Sequence, residues 1–203
     1  MRETPAAMGI QMHSGWGVLV VVSSPDSVEV LDRRRLVVSD PAMPGANQPY
    51  HDARTQLEEV NLEEAERYLE EYAATCEQLA IAAVKEAIVG VRGRGYRIVS
   101  SAILEGAGRS LPSLSQILAS HPLIHTAEGE FFGGTARKAC ERLNIPVTGI
   151  RRRNLEECAK TTFGRAAAQM KRTIATLGKS IGPPWTADHK CAALAAVTLL
   201  AQK

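Results

Sequence analysis

Apolar and polar positions alternate, or run together in short stretches, over the first part of the chain, and then recur at three- and four-residue spacing over most of the rest. Met8 to Met12 and Trp16 to Val22 are apolar runs of strand length, separated by the turn chemistry of His13-Ser14-Gly15. The second run is rich in valine, which suits a sheet interior. After Ser23-Ser24-Pro25-Asp26-Ser27, another turn, Val28 to Val38 predicts a third strand. Val28, Val30, Leu36 and Val38 fall on one parity and Glu29, Arg33 and Arg35 on the other, with Leu31, Asp32, Arg34 and Val37 blurring the alternation. Three strands joined by tight turns predict an antiparallel meander. Ser39 to His51, dense in proline and glycine, predicts a loop.

The helical spacing begins at Asn61-Leu62-Glu63-Glu64, which has the form of a capping box. Leu62, Ala65, Leu69, Tyr72, Cys76, Leu79, Ala83 and Ala87 then place one apolar stripe on a long helix that should end near Gly90. Tyr96 to Leu104 predicts a fourth strand, parallel to the first because a helix crosses over between them. After the loop Glu105 to Ser110, the pattern predicts a short helix to Ser120, a break at His121-Pro122, and a helix over Leu123 to Asn144 weakened by Gly133-Gly134. A fifth strand follows over Ile145 to Ile150. Asn154-Leu155-Glu156-Glu157 repeats the capping-box pattern before a helix to Leu177-Gly178, and Thr186 opens a last one. This order predicts the α/β class, with a mixed sheet between helical layers: a three-strand antiparallel meander plus two further strands. No internal repeat and no linker is visible, so a single domain over residues 1–203 is expected.

The last helix and the first hairpin carry a resemblance. Ala187-Asp188-His189-Lys190-Cys191-Ala192-Ala193-Leu194-Ala195 looks like the A-D-x-x-D-A-x-A helix of RuvC-type Holliday-junction resolvases. Met8 to Leu19, with Gly15-Trp16-Gly17 after the turn, is similar to that family's first hairpin. The resemblance implies a ribonuclease H-like fold and a site of carboxylates holding Mg2+ or Mn2+ for phosphodiester cleavage, with DNA or RNA as partner. This sequence departs from the pattern. Gln11 stands where the family has its first acid, Ser100 and Ser101 fall where the fourth-strand acid aligns, and Cys191 replaces the second acid of the helix. Asp188 is then the one secure metal ligand, and Glu105 is the acid that a shifted register would supply.

Composition changes this picture little, because 45% hydrophobic and 23% charged residues in a 203-residue chain are ordinary for a globular protein with a sizeable core. No apolar run approaches the ~20 residues of a membrane span. Met1 to Ala7 lack a signal peptide's apolar core, and the scattered Cys76, Cys140, Cys158 and Cys191 form no C-x-x-C pair, so a cytoplasmic setting is expected. Charge matters more. The net charge is only +2, yet Asp52 to Glu71 is acidic and Arg137 to Lys179 is basic. The basic part predicts a nucleic-acid-binding surface at Arg151, Arg152, Arg153, Lys171 and Arg172, against the simpler reading of solvated helix faces.

Candidate chemistry also appears in Ser120 to Glu130. On a helix His125 and Glu128 share a face, which is metal-ligand or acid/base spacing, while Pro122 argues that His121 is a cap outside the helix. The catalytic candidates are therefore Asp188, Glu105, Glu128 and His125. Two function classes follow. One is a nucleic-acid-binding protein of nuclease descent with weak or no metal-dependent phosphodiesterase activity. The other is a structural or regulatory interaction domain, whose arginines meet an acidic partner or the acidic helix of a second copy in a homodimer.

Overall fold

In a computed structural model of the chain, which describes residues 3–56, 61–106 and 110–202, the first three strands form the expected antiparallel meander. They are β1 (Thr4–His13), β2 (Trp16–Ser23) and β3 (Glu29–Val37). Next come β4 (Tyr96–Glu105) and β5 (Val147–Arg151), which extend the sheet in parallel and give the order β3-β2-β1-β4-β5. β1 is thus central and covered on both faces. Of the acidic stretch noted in the sequence, Glu58 and Glu59 lie outside the described residues, as does Gly108 of the loop after β4.

The helices are α1 (Pro49–Gln56), α2 (Leu62–Arg92), α3 (Leu114–Leu118), α4 (His121–Arg142), α5 (Leu155–Phe163), α6 (Ala167–Ile181) and α7 (Ala187–Leu200). On one face of the sheet, Tyr72, Cys76 and Val84 of α2 and Phe132 and Ala136 of α4 pack on Met8, Ile10, Met12, Leu19 and Val21. Burial there pushes the thiols of Cys76 and Cys140 up to about 11, which leaves them core residues rather than nucleophiles. On the other face α7 lies against Ala7, Val18, Val20 and Leu104, with α5 and α6 outside it.

The run of buried residues from Ala192 to Leu200 on α7 is apolar nearly all round, as befits a helix enclosed between a sheet and other helices. Small side chains let it sit low. A Cβ placed on Gly9 of β1 would come 1.9 Å from the carbonyl oxygen of Ala192, so the strand needs glycine at the crossing.

Several boundaries depart from the sequence reading for identifiable reasons. α1 lies partly inside the predicted loop, because Pro49 opens a helix, where its missing N–H costs nothing, rather than closing one. Asn61 does cap α2, accepting from the Glu64 N–H at 3.0 Å, but the helix runs past Gly90 to Arg92 before closing on Gly93. A glycine costs about 1 kcal/mol in a helix interior, which does not stop one of 31 residues. α4 begins at His121 with Pro122 in its first turn, so the expected break is a helix start and His121 is helical. Gly133 and Gly134 stay inside it. Asn154 makes no side-chain cap, and the predicted helix from there divides into α5 and α6 at Gly164, whose φ of 54° only glycine adopts readily. No helix among the described residues is long and apolar enough to cross a membrane.

Candidate functional site

The ends of β1 and β5 and the start of α7 bring together one hydrogen-bonded group. Gln11 lies opposite Val18 on β2 and Leu104 on β4, on the same parity as Ala7 and Gly9, and so on the α7 side of the sheet. Asp188 is in the first turn of α7, where the free N–H groups favour a negative charge. Arg152, on the 3-10 turn after β5, donates from Nη1 to Gln11 Oε1 at 3.3 Å and to Asp188 Oδ1 at 3.2 Å. His13 Nε2 lies 3.1 Å from Asp188 Oδ2. Its ring stacks on Trp16 at 4.4 Å, and the Arg35 guanidinium sits 4.1 Å from the centre of a Trp16 ring.

The start of α7 is itself held from β3. Arg33 donates from Nη1 to the carbonyls of Gly182 and Pro184 at 2.6 and 2.8 Å, and from Nη2 to those of Ile181 and Pro183 at 2.7 and 3.2 Å. A cation thus covers the carbonyls left over at the end of α6. Next to Asp188, His189 is buried and its Nδ1 accepts from the Thr186 backbone N–H at 3.3 Å. Burial pushes this imidazole below its usual value and Arg33 adds to the effect, against the opposite pull of Asp188. Trp185 donates its Nε1–H to the Ile174 carbonyl at 2.8 Å, as a wall residue between α6 and α7.

The other residues singled out in the sequence lie elsewhere. Ser100 and Ser101 pair with Ala7 and Met8, whereas Leu104 is the neighbour of Gln11, so neither serine stands beside Gln11 on the sheet. The Ser100 hydroxyl is buried without a hydrogen-bond partner among the described residues. Glu105 lies beside Arg151 and forms its ion pair with Arg137 of α4. Glu128, almost fully buried on α4, accepts from His51 Nδ1 at 2.9 Å, with His125 Nδ1 at 3.9 Å from its second oxygen. Asp188 therefore bonds His13 and Arg152, while Glu105, Glu128 and His125 make their contacts on or with α4. Arg151, Arg152 and Arg153 are exposed. Lys171 pairs with Glu156, and Arg172 donates to Gln169 Oε1 at 2.8 Å. Arg152, Lys171, Lys190, Cys191 and Leu194 line a groove of about 310 Å3 beside Asp188.

Arg33, His51 and the bridging role of Arg152 escaped the sequence reading. Arg33 gave a partial signal as a polar-parity residue on β3, whereas His51 sat in a segment read as loop. A pair of hard divalent ions needs several charged oxygens. The group formed by Gln11, His13, Arg152 and Asp188 contributes one carboxylate, and a guanidinium already lies on it. These donors do not fit such a pair.

Three antiparallel strands, two parallel ones in the order β3-β2-β1-β4-β5, and helices on both faces make a ribonuclease H-like fold similar to that of RuvC. No protein-family model matches the chain, and no curated protein matches it in sequence. Among solved structures the chain is similar to Thermus thermophilus RuvC in complex with a Holliday junction substrate, with a TM-score of 0.53 and 16% identity over 97% of this chain and 92% of that one. A second T. thermophilus RuvC structure gives a TM-score of 0.51 and 12% identity over 97% and 93% of the two chains. At such identities the likeness is one of fold.

Proposed function

We propose that the chain is a one-domain, cytoplasmic nucleic-acid-binding protein of nuclease descent with weak or no metal-dependent phosphodiesterase activity. The observation that carries this reading is Arg152, whose guanidinium bridges Gln11 Oε1 and Asp188 Oδ1. A guanidinium thus already lies on Asp188 Oδ1, one of the two carboxylate oxygens that a divalent cation would need. Arg151 and Arg153 beside it are exposed, and Lys190 lines the adjoining groove together with Lys171, which is paired there with Glu156; the exposed arginines and Lys190 suit contacts to phosphate. Since one of the similar RuvC structures holds a Holliday junction, branched DNA is the first ligand to try.

The test is a labelled four-way junction and its linear duplex titrated with purified protein at rising salt, with Mg2+ or Mn2+ present. Binding that weakens steeply with salt is expected, with cleavage absent or at a trace level that Asp188→Asn removes. Robust Mg2+-dependent cleavage lost in Asp188→Asn would overturn the claim of weak activity. No binding even at low salt would favour the second reading, an interaction domain. For that reading the supporting observation is α2, whose acidic residues and 62% exposed Val89 offer one side of a contact with the exposed arginines of a second copy.

A further inference from the structure

A second cluster of ligating side chains lies at the junction of α1 and α4. His51, in the first turn of α1, meets His121 and His125, which stand four residues apart on one face of α4. One ring nitrogen from each of the three lies within 4.8 Å of the others. The ring centroids are 5.2 Å apart for His51 and His121, 4.8 Å for His51 and His125, and 4.5 Å for His121 and His125. Behind them Glu128 accepts from both the backbone N–H of His51, at 3.4 Å, and its Nδ1, at 2.9 Å.

Two considerations favour a shared cation over three separate rings. One ligating nitrogen from each ring lies close enough to the other two for a single ion to reach all three, and three imidazoles are a donor set that a transition metal accepts. The bond to Glu128 also fixes a tautomer. With Nδ1 donating to the carboxylate, the lone pair of His51 is on Nε2, the arrangement in which a buried acid orients a metal-bound histidine. Imidazole nitrogen suits zinc, copper or nickel, and not the hard, oxygen-seeking Mg2+. His121 and His125 are exposed, so an ion bound here would keep a position open to water.

We propose that His51, His121 and His125 bind one divalent transition-metal ion of the zinc class, with Glu128 as the carboxylate that orients His51. Such an ion links α1, which follows the loop after β3, to α4, and so ties that loop to the helical layer over β1. This site is independent of the one at Asp188.

The experiment uses chelator-stripped full-length protein, titrated calorimetrically with Zn2+ and separately with Mg2+, with Co2+ as a spectroscopic probe. One Zn2+ per chain is expected, together with visible Co2+ bands that excess Zn2+ abolishes, and no comparable heat from Mg2+. The double substitution His121→Ala with His125→Ala should remove both signals. Because those two side chains are exposed, its far-ultraviolet circular dichroism should match that of the wild type. Glu128→Gln should weaken Zn2+ binding on the order of 10- to 100-fold. Asp188→Asn should leave it unchanged. Zn2+ retained at wild-type affinity by the double variant, or bound no more tightly than Mg2+ by the wild type, would overturn the assignment.

Discussion

Asp188 illustrates how little of a site can be local. Its two side-chain partners are His13, 175 positions away, and Arg152, 36 positions away, so the helix containing the acid was legible from its proline-threonine start while its neighbours were not. His189 offers a direct test at the same scale. Its imidazole is held below the ordinary 6.5 by burial first and Arg33 second. The unfolded chain therefore binds a proton at a pH where the folded chain resists it, and stability rises with pH across that window. The contribution is fully present above about pH 6.5 and is lost as pH falls through the lower folded value. His189→Asn should flatten this part of the stability profile in urea unfolding measured at a series of pH values, and an unaltered slope would mean that another group titrates there.

Among the elements, those with a complete local signature are legible. The single apolar face expected over Val28 to Val38, however, is broken by a bulge on β3, which puts Val28 and Val30 on the α7 side and Leu31, Leu36 and Val38 on the other. β1 to β4 carried apolar runs bounded by turns, and α2 carried a cap and a continuous stripe. α1 was missed because proline reads equally as loop or as helix start, and the division of α5 from α6 because a lone glycine does not announce a positive φ. The packing of α7 on β1 predicts its own disruption. Gly9→Ala drives a methyl into the Ala192 carbonyl and should cost about 1–3 kcal/mol as overpacking of a closed core, read as a lower midpoint in denaturant unfolding. Arg33→Met removes four donations to consecutive carbonyls at the α6–α7 connection. Hydrogen bonds from a charged group are worth roughly 1.5–3 kcal/mol each in favourable settings, and these are partly exposed, so a total loss of about 2–3 kcal/mol is expected. Limited proteolysis should then cut near Gly182 before any other site, and uniform resistance would argue against a clamp.

For the whole molecule, charge is uneven although its net value is small, and of the three arginines at the end of β5, Arg152 lines the groove next to Asp188. Replacing Arg151, Arg152 and Arg153 together with alanine should weaken oligonucleotide binding and reduce the slope of log affinity against log salt by about 1 for each lost phosphate contact. An unchanged slope would move the interface elsewhere. Single Arg152→Ala should act differently, since it also uncovers Gln11 and Asp188, and increased Mn2+ binding at Asp188 is its distinguishing signature. One property of the frame bears on all such substitutions. Because Gly9 lets the main chain of α7 rest on the main chain of β1, the height of α7 at that crossing is set by backbone against backbone, while Arg33 holds the turn that leads to Asp188. The residues at that edge can therefore change identity while their mounting stays put. Substitutions at Gln11, His13 or Arg152 should accordingly change the charge of that edge while leaving the seat of the helix on β1 in place.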